Sequence, residues 1–179
     1  MKTILFVARL ALTLLAITAV VAVALAGVNM ITAPAIAELN AQNTQAAIEA
    51  VLPGGGTEMA DFPAVDLVSK VYASDAGYAV QVTPGGFDNT ITMMVGVDKA
   101  GNVLGIDVVS HTETAGLGAV SDADTPAGIS FREQFIGASG SVSVTKDGGQ
   151  MDAITGATIT SRAICAGVNA ALECAAQMG

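Results

Sequence analysis

From Leu10 to Ile31 the chain carries no charged residue, and only Thr13, Thr18 and Asn29 are appreciably polar. These 22 residues exceed the roughly 20 that a helix needs to cross a bilayer. Lipid offers no hydrogen bonds, so a single such stretch can only be a helix that satisfies its own backbone. A cleaved signal peptide is the competing reading, with small residues around Ala24-Leu25-Ala26. The apolar part of a signal is about 7–15 residues long, so the length favours a retained anchor. Lys2 and Arg9 precede the run, which predicts a cytoplasmic N-terminus and a single-pass protein of the inner membrane. Either reading sends the remainder across the membrane.

That remainder is acidic. No Asp or Glu occurs before Glu38. Seven Lys and Arg less Lys2 and Arg9 leave five against 16 acidic residues, a balance of −11 after the anchor. Such a surface repels phosphate backbones and anionic lipid, which argues against nucleic acid as a partner. Cys165 and Cys174 lie nine residues apart on one predicted helix. They face opposite sides of it, separated by about 13 Å along the axis. A disulfide tolerates Cα separations of up to about 7 Å, so both are expected as free thiols. His111 is the only histidine, and no metal site is predicted.

Three regions follow from the patterning: 1–31, the cytoplasmic N-terminus and spanning helix; 32–63, a juxtamembrane helix and linker; and 64–179, one extracytoplasmic domain. In the second, Pro34 is expected to kink or restart the helix, and Pro53 with Gly54 to Gly56 to end it. In the third the apolar period becomes two. Val65, Leu67 and Val71 share one face, as do Tyr78, Val80 and Val82; Ile91, Met93, Val95 and Val97; and Leu104, Ile106 and Val108. The short breaks "PGGFDN" and "DKAG" predict an antiparallel meander. Residues 127–137 suggest a short helix, 141–146 a further strand, and a last helix sets Ile164, Val168, Leu172 and Ala175 on one side. The fold class is α+β: one transmembrane helix, then an antiparallel sheet with flanking helices.

Two stretches could carry chemistry. In "HTETAGLGA", residues 111–119, Gly116 and Gly118 permit close backbone approach, Leu117 is pushed outward, and Glu113 and Thr114 supply polar groups. A glycine-containing surface loop explains the same residues, and a His111–Glu113 catalytic pair lacks an accompanying nucleophile. In "DAITGATITSR", residues 152–162, four hydroxyls (Thr155, Thr158, Thr160 and Ser161) crowd the entrance of the last helix. Capping needs one. Gly156 and Ala157 leave room around Thr155 and Thr158, and a helix start there would favour phosphate.

At these residues the chain closely resembles the G subunit of the Rnf electron-transport complex. It is more distantly similar to the C subunit of the Na+-translocating NADH:quinone reductase. The shared module binds FMN through a motif of Asp, two variable residues, then Ser/Thr-Gly-Ala-Thr. Here that is Asp152, Ala153, Ile154, Thr155, Gly156, Ala157, Thr158, without departure. "TAPAIAE", "AVLPG" and "FREQFIG" resemble the same Rnf protein, as does "HTETAGLGA", where Ala115 replaces a frequent proline.

The resemblance implies FMN esterified through its phosphate to Thr158 by a separate flavin transferase using FAD and Mg2+. Thr155, Gly156, Ala157, Glu113, Thr114, Leu117 and Gly118 are the other expected cofactor-binding residues, with none catalytic. It further implies a membrane-anchored electron carrier, a non-autonomous redox subunit among the other subunits of a Na+- or H+-transporting ferredoxin:NAD+ oxidoreductase. The alternatives are a subunit of the quinone reductase, a stand-alone extracytoplasmic flavin reductase module, or an unmodified structural domain.

Overall fold

The computed structural model describes residues 2–179. They form two compact units that divide after Gln42. The first lies within α1, Lys2–Val51, which runs through Pro34 without interruption. A proline removes only one ladder bond, and the alanine-rich residues on both sides keep their helical preference, so the restart expected at Pro34 does not occur. The apolar side chains here point outward all round; Leu12 is 70% and Val23 74% exposed. Thr13, Thr18 and Thr32 return their hydroxyls to the carbonyls of Arg9, Leu14 and Val28. A helix that is apolar on every side, with these threonine hydroxyls satisfied internally, suits hydrocarbon. This is one helix long and apolar enough to cross a membrane.

The second unit holds a five-stranded sheet in sequence order: β1 Thr57–Glu58, β2 Val68–Ala73, β3 Gly77–Val82, β4 Thr92–Asp98 and β5 Val103–Ser110. Every neighbouring pair is antiparallel, the expected meander with one short strand added from the linker. α2, Pro126–Glu133, and α3, Thr158–Met178, pack on one face, α3 against β2, β3 and β4 and α2 against β5. Val80, Val82, Met93, Val95 and Val97 form the core there with Phe135, Ile164, Val168 and Leu172. The opposite face is covered too: Ala47, Ile48, Val51 and Leu52 bury Tyr72, Ala79 and Met94.

The structure departs from the alternation at three places. Leu67 does not belong to the strand: it turns with φ 68°, and β2 starts at Val68 with a register shift before Lys70. Leu104 leaves the face of Ile106 and Val108. Gly96 pairs with Gly105 but Val97 with Val103, so Leu104 is the extra residue of a bulge and packs on the α1 side of the sheet. Residues 141–146 form no strand. At Val142 the Asn169 side chain replaces the ladder, accepting from the N–H at 2.8 Å and donating to the carbonyl at 2.9 Å; Val144 makes an isolated bridge to Met151, and both valines still enter the core. Cys165 and Cys174 are both free and buried, because α3 is enclosed around much of its circumference. Burial pushes the Cys165 thiol up to about 11.

Candidate functional site

α3 opens at Thr158, and the residue before it, Ala157, has no side chain with which to cap it. The crowded hydroxyls therefore do other work. Ser161, fully buried, accepts from the Ile154 N–H at 3.0 Å and donates to the Ala157 carbonyl at 2.9 Å, folding the 154–157 turn back onto the helix. Thr160, also buried, donates to Glu113 Oε2 at 2.5 Å. Thr155 is exposed. Thr158 is half-buried, and its Oγ1 accepts from Lys146 Nζ at 3.1 Å. Gly156 makes the turn with φ 80°, and a Cβ there would meet Leu117 Cδ2 at 2.9 Å.

Glu113 ties three segments together. Its Oε1 accepts from the backbone N–H of Phe87 at 2.8 Å and of Asp88 at 3.3 Å, while its Oε2 takes the Thr160 hydroxyl. Only 8% of it is exposed, and a buried carboxylate needs such donors. Glycine is required where the backbone passes it: a Cβ on Gly86 would overlap Oε1, and one on Gly118 would overlap Oε2 and the Thr160 hydroxyl. Gly118 thus makes room for a side chain of the protein. His111 does not pair with the Glu113 carboxylate; its Nδ1 accepts from the Glu113 backbone N–H at 3.1 Å, and its Nε2 lies 3.7 Å from Asp122.

Beside Lys146, Asp147 is gripped by the Arg162 guanidinium at 2.6 and 2.7 Å. That hydrogen bond holds the Asp147 carboxyl below its usual range, against the opposing effect of desolvation. The turn that carries both residues, Thr145–Asp147, is fixed by backbone bonds from Thr145 to Met151 and from Asp147 to Val144.

A cavity of about 240 Å³ gathers these parts, lined by Glu113, Thr114, Leu117, Gly118, Gly156, Ala157 and Thr158 together with Phe87, Lys146, Ile159 and Thr160. Seven of the eight residues singled out from the sequence therefore share one hollow. The eighth, Thr155, lines a neighbouring cavity of about 440 Å³ with Gly116, Phe131, Gln134 and Asp152. Phe87 and Lys146 were not foreseen. Each had a signal: Phe87 follows the Gly85-Gly86 pair, and Lys146 is one of only five cations in an acidic domain. Phe87, Leu117 and Ile159 are 66%, 43% and 49% exposed, an apolar rim beside a polar floor.

Comparison with known proteins bears on this arrangement. Residues 86–173 match the FMN-binding domain, a span that starts at the Gly86 turn and includes α3 as far as Glu173. The G subunit of the Na(+)-translocating ferredoxin:NAD(+) oxidoreductase complex of Acetobacterium woodii is 33% identical over 192 residues, covering 92% of this chain and 89% of that protein. The G subunit of the ion-translocating oxidoreductase complex of Stutzerimonas stutzeri is 35% identical over 178 residues, 91% of this chain and 78% of that one. Its counterpart from the Vibrio vulnificus complex is 40% identical over 95 residues, 51% of this chain and 45% of that one. With similarity that runs from the anchor through the cavity-forming segments, the chain belongs to the G-subunit (Rnf) family of ion-translocating oxidoreductase complexes and contains its FMN-binding domain.

Proposed function

We propose that this chain is a membrane-anchored electron carrier whose FMN is esterified through its phosphate to Thr158. Within an ion-translocating ferredoxin:NAD+ oxidoreductase complex it passes electrons between neighbouring subunits. Bound FMN supplies the redox chemistry; the protein's part is to hold it, orient it and shape its surroundings.

The observation that carries the reading is the position of Thr158. The last residue of the Asp152–Thr158 motif is also the first residue of a 21-residue helix without a side-chain cap, and this half-buried residue lines the cavity. First-turn N–H groups of such a helix favour a phosphate. The residues present fit the group: a hydroxyl, a cation and a helix start for its phosphate end, and the apolar side chains of Phe87, Leu117 and Ile159 for its ring system. Thr160 is a poorer candidate because its hydroxyl is buried and spent on Glu113. Thr155 is accessible but lines the other cavity. Glu113 has both oxygens engaged by the protein, so its contribution is to hold the walls together around Thr114, Leu117 and Gly118.

The rest of the reading follows from the anchor. Lys2 and Arg9, ahead of the apolar run, support a cytoplasmic N-terminus, and the domain beyond the anchor works outside the cytoplasm, where a dissociable flavin would be lost. A flavin transferase acting on FAD completes the protein, and either Na+ or H+ is the coupling ion.

The test is co-expression with a flavin transferase, followed by digestion. The tryptic peptide 147–162, ending at Arg162, should be heavier by one FMN less one water. Thr158→Ala should abolish flavin fluorescence in denaturing gels while the domain stays folded. Retention of covalent flavin by that variant would transfer the assignment to Thr155 or remove it from this motif.

A further inference from the structure

The domain after the anchor has five cations, and three are engaged with carboxylates: Lys70 with Glu58 at 2.9 Å, Arg132 with Asp124 at 3.5 Å and Arg162 with Asp147 at 2.6 Å. Lys99 sits in the β4–β5 turn. Among the described residues, Lys146 is the one cation lining the Thr158 cavity, and the hydrogen bond it makes is to the Thr158 hydroxyl. Two features fix it there. Thr158 and Arg162 are four residues apart on α3 and so share a face. Their partners, Lys146 and Asp147, are consecutive in the opposing turn, so the two contacts register that turn against the start of the helix. Arg162 also neutralises Asp147, which would otherwise compete for the ammonium.

We propose that Lys146 receives the negative charge created when Thr158 is esterified, and that it thereby governs how fast the flavin is attached. The inference rests on the reading of Thr158 given above. In that step the Thr158 Oγ–H bond breaks and an Oγ–P bond forms at the FMN phosphorus of FAD. The P–O–P linkage breaks, AMP leaves with its electron pair, and the hydroxyl proton passes to solvent. A neutral hydroxyl becomes a phosphodiester bearing one negative charge, in a domain whose balance is already −11. An ammonium within hydrogen-bonding distance of the oxygen that joins the phosphorus lies where that charge develops, and charge-assisted contacts of this kind are the strong ones.

The experiment uses the full chain in detergent with purified flavin transferase, FAD and Mg2+, and follows intact mass against time. Lys146→Met keeps the stem and removes the charge; Lys146→Arg keeps the charge. The Met variant should be flavinylated about three- to tenfold more slowly, the range for a partly exposed charge-assisted contact. The Arg variant should restore the rate to within about twofold, and the two should share one melting temperature. Attachment to Lys146→Met at the wild-type rate would overturn the inference, as would equal slowing in both variants, since that pattern reports packing and not charge. Wild-type protein that takes up no flavin, or Thr158→Ala protein that does, would instead overturn the reading of Thr158 and the inference with it.

Discussion

Glu113 shows how a single residue can organise a site by joining separate segments of the chain. Its two oxygens hold the Phe87 and Asp88 backbone on one side and the first turn of α3 on the other, and Gly86 and Gly118 leave it the space. Substitution by alanine would leave the part-buried Phe87 and Asp88 backbone donors and the buried Thr160 hydroxyl without their acceptor. Each buried orphan costs about 1–3 kcal/mol; with partial entry of water, Glu113→Ala should lose about 2–4 kcal/mol in urea unfolding. Glu113→Gln keeps an acceptor for the backbone and should lose less. Equal stability of the alanine variant and the wild type would show that the carboxylate does not join these segments. From the sequence Glu113 was readable as a polar residue in a glycine loop. Its partners were not, because they lie 26 and 47 residues away.

Among the elements, the segment from residue 141 to 146 is the most instructive. Its alternating valines read as a strand, and Val142 and Val144 are buried as a strand's would be. The backbone, however, joins no sheet: the Asn169 amide from the middle of α3 holds Val142, and an isolated bridge to Met151 holds Val144. Alternation reports which side chains face inward; it does not report what satisfies the N–H and C=O groups between them. Asn169→Ala should therefore cost about 1–3 kcal/mol, and amide exchange at Val142 should accelerate more than at Val80 or Val95 in the sheet. Uniform acceleration across the domain would mean that the segment does not open on its own. The same limit explains Leu104: a bulge inverts the alternation after it, and a period-two pattern has no means of announcing one.

For the molecule as a whole, the boundary of the folded domain lies earlier than the change in apolar period suggests. The compact unit begins at Asn43, because Ala47, Ile48, Val51 and Leu52 cover the second face of the sheet and are at most 2% exposed. A protein spanning residues 43–179 should be soluble and melt cooperatively. One spanning 64–179 loses Ile48, Val51 and Leu52 from that face, about 5–9 kcal/mol of burial at about 1.5–3 kcal/mol each. A typical domain is stable by only about 5–15 kcal/mol, so the shorter protein should aggregate or melt far lower, and equal melting of the two would contradict this covering role. The sequence by itself determined the spanning helix, the four main strands, their antiparallel order, α3 and the family motif ending at Thr158. These rest on local properties: the length of an apolar run, a period of two or 3.6, short turns, and contiguous residues. Only the tertiary structure decided that Lys146 stands against Thr158, that Phe87 joins the rim, that Thr160 is spent on Glu113 and that Thr155 opens on a different hollow. Those relations join residues 12 to 73 positions apart, and chain topology, which no local period encodes, brings them within a few ångströms.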